Sequence, residues 1–339
     1  MNRKHYIDVA RGIGMICIVL GHLGIEKIDR FVFTFHVPIF FMLTGYFTSD
    51  KQSISEFCKK RFKTLIVPYI VTSCIIIVLS VFFNHFFPTG LSQKEVLIQW
   101  IKAALYGAGD SYEEPFVIHS IGAIWFLLAS FWGSMLLRIL LDVKPVYRIP
   151  AVFLIFFLCK KSTELFWFPL SIQTAGPALL YMYIGYLGKT IVPAVKDFSK
   201  EVKAFLFAGG LWVWISFVMQ FKSFWLVHCN YGRGVIDILG SICAACCVLV
   251  ISYFLTEKFE KAVKGLAYLG QYSLIMLCTH MIELDLFPWR KWSMLLFGEM
   301  SNTGYLLFRI CGKFLWIIPI TILLSRWNPA RKIFGYKEI

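Results

Sequence analysis

Charge is scarce in this chain of 339 residues: 16% are charged, and Asp and Glu number only 20 against 34 Lys and Arg. Soluble domains carry about 25% charged residues, so a water-exposed globular fold is excluded. Polar linkers, low-complexity tracts and internal repeats are also missing, which leaves one integral membrane domain over 1–339 as the expected organisation. The ten cysteines lie mostly inside apolar segments and lack the paired spacing of metal or redox motifs, so neither a metal nor a disulfide framework is expected. The first apolar run has no small-residue cleavage site and contains Arg11, and it reads as a membrane span rather than a signal peptide.

What is abundant is apolar surface: 58% of residues are hydrophobic and mean hydropathy is +0.69. Windows of about 20 apolar residues fall near residues 6–24, 31–48, 65–87, 120–141, 149–160, 165–187, 203–221, 234–256, 266–284 and 304–325. The expected fold class is an all-α, polytopic transmembrane helix bundle of about ten spans. The fifth is the weakest, being short and bounded by Pro150 and the Lys160, Lys161 pair. Between the third and fourth, LSQKEVLIQWIKAAL has apolar residues at helical spacing and predicts an amphipathic surface helix.

Basic residues sort by side. With alternating loops, one side collects Arg3, Lys4, Lys51, Lys59, Lys60, Arg61 and Lys63, and later Arg138, Lys144, Lys189, Lys196, Lys258, Arg326 and Arg331. The other side receives roughly half as many. The positive-inside rule then predicts that both termini are cytoplasmic. Orientation and anionic membrane lipid account for the net charge of +14 without nucleic acid as a partner.

Against this apolar background a few polar residues stand out. Arg11 and His22 lie three helical turns apart, roughly 16 Å, on one face of the first span. A guanidinium and an imidazole are costly in hydrocarbon, so the pair points to a polar site inside a bundle. The orientation places His22, His36 and His280 at one level toward the outside, with Arg11 deeper and Arg61 and Lys63 at the cytoplasmic mouth of the third span. Asp237 in the eighth span is the carboxylate expected to orient a histidine or bind a ligand hydroxyl, with Asp8, Glu283 and Asp285 as alternatives. Pro38 predicts a kink two residues after His36.

The stretches IDVARGIGMICIVLGH, FTFHVPIFFMLTGYF and KKRFKTLIVPYI, followed by AIWFLLASFWG, LLYMYIGYLGK and YLGQYSLIMLCTH, closely resemble the acyltransferase 3 family, in particular its fucose 4-O-acetylase-like branch. The resemblance implies a membrane enzyme that passes an acyl group, acetyl first among them, from cytoplasmic acyl-CoA to a hydroxyl of a saccharide or lipid-linked glycan. It implies that activity depends on Arg11 and His22, with His22 as base and Arg11 positioning the thioester. His36 joins the acceptor site, and His280 and Asp237 serve as substrate-binding residues. Arg61, Lys63 and Lys60 suit the phosphates of coenzyme A, and Trp125 suits a wall for sugar or pantetheine. The expected location is the bacterial cytoplasmic membrane. One departure is notable: the family often carries an acidic residue in its Trp-containing span, and AIWFLLASFWG has none. A proton-coupled secondary transporter or flippase is the alternative that the spans and buried histidines also allow.

Overall fold

A computed structural model describes residues 5–338. The basic residues Arg3 and Lys4 of the charge count lie outside the described residues. The chain is 77% helical with almost no sheet. The helices, in order, are α1 (His5–Gly21), α2 (Glu26–Val32), α3 (His36–Phe47), α4 (Ile54–Arg61), α5 (Val67–Phe86), α6 (Gln93–Tyr106), α7 (Trp125–Leu141) and α8 (Pro145–Ser162). They continue as α9 (Ala175–Lys196), α10 (Lys200–Met219), α11 (Val235–Lys258), α12 (Lys264–Gln271), α13 (Ser273–Leu286), α14 (Trp289–Phe297), α15 (Asn302–Arg326) and α16 (Asn328–Ile333). A two-residue hairpin, β1 (Phe224–Trp225) with β2 (Asn230–Tyr231), is the sheet present among the described residues.

Every apolar window expected from the sequence falls on a helix or a pair of helices, and the chain is a helical, multi-pass membrane protein. Among the described residues, seven helical segments are long and apolar enough to cross a membrane. The other three windows differ for physical reasons. Helix α1 has 17 residues and is buried along most of its length, so it needs less apolar surface than a lipid-facing span. Helix α8 carries Arg148, Lys160 and Lys161 within its 18 residues. The ninth window is broken at Tyr272 into α12 and α13.

Outward-facing side chains are apolar where lipid would be. Val78 on α5, Phe153 on α8, Phe205 and Trp212 on α10 and Leu315 on α15 are all exposed, a surface that water would penalise and hydrocarbon would not. The predicted amphipathic helix is α6. A capping box starts it: Ser92 Oγ accepts from Glu95 N–H, and the Glu95 carboxylate accepts from Ser92 N–H. Those bonds hold the exposed Glu95 carboxyl below its ordinary range. Pro38 produces no kink, because it lies in the first turn of α3, where its missing N–H has no intrahelical partner to lose.

Helix packing in lipid has little hydrophobic drive and depends on close backbone approach at small residues. Helix α1 is central, packing on α3, α11, α12 and α13. At the α1–α12 crossing, a Cβ on Gly12 would lie 2.2 Å from Leu266 O and one on Gly270 1.8 Å from Asp8 O. The α3–α9 crossing is reciprocal in the same way, with Gly45 against Met182 O at 1.7 Å and Gly185 against Met42 O at 1.9 Å. Gly45→Ala therefore forces α3 and α9 apart and should lower stability by about 1–3 kcal/mol or more. Gly188→Ala, one turn beyond Gly185 with its nearest neighbour at 3.6 Å, should be neutral. Thermal unfolding of the purified variants in detergent compares the two, and equal midpoints would refute the close crossing.

Candidate active site

Position 22 is the first residue beyond α1, where the last carbonyls of the helix lack intrahelical partners. His22 uses one of them: its Nδ1 lies 2.7 Å from Ile18 O. A carbonyl only accepts, so Nδ1 carries the proton and Nε2 is the ring's basic nitrogen. Arg309 on α15 closes the same helix end, its guanidinium donating to Leu23 O at 3.3 Å and to His22 O at 3.4 Å. His36 repeats the arrangement on the next helix pair. It opens α3, and its Nδ1 donates to Val32 O, the end of α2, at 2.6 Å. Both imidazoles thus present Nε2 as an acceptor, and both line one cavity of about 170 Å³.

Behind His22 stands His280 of α13, fully buried, with ring centroids 5.2 Å apart and His280 Nε2 3.4 Å from His22 Nδ1. His280 Nδ1–H donates to Glu283 Oε2 at 3.0 Å. The Glu283 carboxylate is itself fully buried and accepts from Lys313 Nζ of α15 at 2.8 and 3.1 Å, and from the Trp289 indole N–H. A buried carboxylate survives only when paired and hydrogen-bonded, and here both oxygens are. The result is a chain from Lys313 through Glu283 and His280 to His22. It fixes the tautomer of His280 and backs the His22 ring with a polar partner rather than hydrocarbon.

The sequence placed three histidines at one level, and the structure brings them together, though not in equal roles. His280 is not among the residues lining the cavity and stands behind His22 inside the protein. Asp237 is held locally. Its Oδ2 accepts from Arg233 N–H at 2.7 Å and its Oδ1 from Arg233 Nε–H at 2.8 Å. With both oxygens engaged by a residue four positions earlier, Asp237 is a local lock at the start of α11, and Glu283 is the carboxylate that orients a histidine. Trp125 lines the histidine cavity, whereas Lys60 and Lys63 line a different one.

The other end of α1 gathers positive charge. Arg11 lies 5.9 Å over the Phe47 ring and close enough to Arg61 for the two guanidinium charges to oppose one another. Arg61 packs 5.0 Å over the Phe57 ring and reaches Thr48 Oγ1 at 3.5 Å. Directly after it, Phe62–Ile66 forms a π-helical turn, a distortion that redirects side chains and recurs at functional sites. Lys60 and Lys63, on either side of Arg61, line a second cavity of about 330 Å³ together with Lys332 and Lys337 of the C-terminal segment. Arg11 thus lies within α1 beside Phe47 and Arg61, and His22 lies just beyond the C-terminal end of that helix, in the histidine cavity.

Sequence reasoning missed Lys313 and the loops that carry Asp110 and His228. Lys313 carried a signal, a cation midway along the 25 residues of a largely apolar helix, one turn after Arg309. Glu283 carried one too, lying three positions after His280 on one helix face. The loops gave none: Asp110 and His228 are 118 positions apart in sequence and bonded at 2.9 Å.

Comparison with known proteins adds one finding. A family model described as an acyltransferase domain, that of the acyltransferase 3 family, matches residues 4–326. No curated protein and no solved structure matches the chain.

Proposed function

We propose, from the premise that this chain belongs to the acyltransferase 3 family and is a membrane acyltransferase, that it takes an acyl group, acetyl first, from acyl-CoA and transfers it to a hydroxyl of a saccharide or lipid-linked glycan. The observation that carries this reading is the fixed tautomer of His22 in the cavity, with its Nε2 basic and its Nδ1 held by Ile18 O. In the proposed reaction His22 Nε2 takes the proton of the acceptor hydroxyl as the oxygen attacks the thioester carbonyl. The new C–O bond forms, the C–S bond breaks, and coenzyme A leaves as the thiol after receiving that proton. His36 Nε2 accepts from a second hydroxyl and holds the acceptor in place.

The donor's phosphates fit the other end. Arg11 and Arg61 lie near one another there, and arginine binds phosphate with paired, charge-assisted bonds. Lys60 and Lys63 extend the positive surface into the second cavity. The pantetheine arm bridges from these residues to His22, and Trp125 lies where the thioester would arrive. With the basic end at the cytoplasm, as the positive-inside rule requires, the donor enters from the compartment that contains it. The single domain over 1–339, a bacterial cytoplasmic membrane and contact with anionic lipid belong to the same proposal.

The test is donor turnover. Purified protein in lipid nanodiscs, given acetyl-labelled acetyl-CoA and a mixture of saccharide acceptors, should move label to the saccharide and release free coenzyme A. An intact thioester under all acceptors, combined with solute uptake into proteoliposomes, would replace the enzyme with a carrier. Mass spectrometry of surface glycans from cells with and without the protein then identifies the acceptor by its lost acyl mass.

A further inference from the structure

We infer that Asp110, at the rim of the histidine cavity, is a specificity-determining residue that admits neutral and amino sugars and rejects acidic ones; this deepens the acyl-transfer reading and rests on it. Asp110 is the one carboxylate among the residues lining that cavity. Its geometry is set by two hydrogen bonds, one on each carboxylate oxygen. Oδ2 accepts from His228 Nε2–H at 2.9 Å, and Oδ1 accepts from Ser111 N–H at 2.7 Å. His228 is held in turn by the Tyr112 hydroxyl at 3.0 Å from Nδ1, and the Tyr112 ring stacks on Trp167 with centroids 4.4 Å apart. Burial pushes the Tyr112 phenol well above its ordinary range, which keeps it as an O–H group for His228. Each carboxylate oxygen has a second acceptor position beyond these bonds.

This construction joins two loops over the histidines. One is the segment after α6 that carries Gly109 to Tyr112; the other is the β1–β2 hairpin and its turn. Gly109 has no room for a side chain, since a Cβ there would lie 2.2 Å from the Trp125 ring and 2.3 Å from Val227. Trp225 stacks on His228 with centroids 5.5 Å apart and is still 40% exposed. Aromatic walls with one fixed carboxylate suit a sugar ring, whose C–H faces pack on aromatics while its hydroxyls donate to the acid. At about 170 Å³ the cavity accommodates one ring. An acidic sugar would bring a second carboxylate beside Asp110, and like charges so placed repel; a neutral hydroxyl or an ammonium would not meet that penalty.

Saturation-transfer NMR on the full chain in nanodiscs, with methyl glucoside, methyl glucosaminide and methyl glucuronide as probes, tests this. The glucoside and glucosaminide should bind at least tenfold more tightly than the glucuronide. Asp110→Asn, which keeps the shape and the bond to His228, should narrow that gap to threefold or less, with a thermal midpoint close to the parent's showing that it is folded. Equal binding of the glucuronide by the parent, discrimination that survives Asp110→Asn, or absence of saccharide binding would each overturn the inference. Acetyl-CoA turnover by the parent, measured on the same preparation, decides the acyl-transfer reading separately.

Discussion

Replacing His22 by alanine should lower acyl transfer by about 10²–10⁴-fold, the usual contribution of a positioned general base. The loss should appear in kcat at saturating donor, while the KM for acetyl-CoA stays near the parent value, because the basic residues that would hold the donor lie at the other end of α1. The local geometry gives the reason. The Ile18 carbonyl fixes the proton on Nδ1, so no other tautomer competes, and His280 stands behind the ring. Alanine removes the base and opens the contact with His280. Glutamine at the same position keeps a polar side chain without a basic nitrogen, and it should be as inactive as alanine. Transfer that persists in both variants would remove His22 from the chemistry and direct attention to His36, the other cavity imidazole with a basic Nε2.

Much of this was legible in the sequence where one helix carried both halves of a signal. Arg11 lies in α1 and His22 directly after its last residue, and hydropathy together with helical spacing reads the two as opposite ends of one span. The apolar residues of LSQKEVLIQWIKAAL, at helical spacing, announced α6. Reading failed where the partner came from another helix or where two carboxylates competed for one role. Asp237 reads as buried and available in the sequence because its partner, Arg233, lies just before the 234–256 window. The actual orienting carboxylate, Glu283, needed Lys313 from α15 and Trp289 from α14 to be tolerable in the interior, and no local pattern joins those three residues. The break at Tyr272 escaped notice because α12 and α13 are together as apolar as one span. The bond between Asp110 and His228 depends on two irregular loops meeting, and loops have no periodicity to read.

Lys313 carries the second large expectation. It and Glu283 are both fully buried in the bundle, so Lys313→Met leaves a carboxylate without its counter-charge in a low-dielectric interior. Breaking a buried pair on one side costs about 3–5 kcal/mol, far more than the pair contributes over an apolar replacement. Thermal unfolding in detergent should show that loss as a large drop in midpoint. The double variant Lys313→Met with Glu283→Gln removes both charges, and most of the stability should return. Activity should not return with it: a neutral amide cannot give His280 Nδ1–H the charge-assisted bond it has now, so the support behind His22 is weakened although the fold is intact. A stable Lys313→Met protein would mean that Glu283 finds another partner or a proton in the interior. Recovery of both stability and transfer in the double variant would mean that the buried charges serve folding alone, and that His22 needs nothing beyond the Ile18 carbonyl to act as a base.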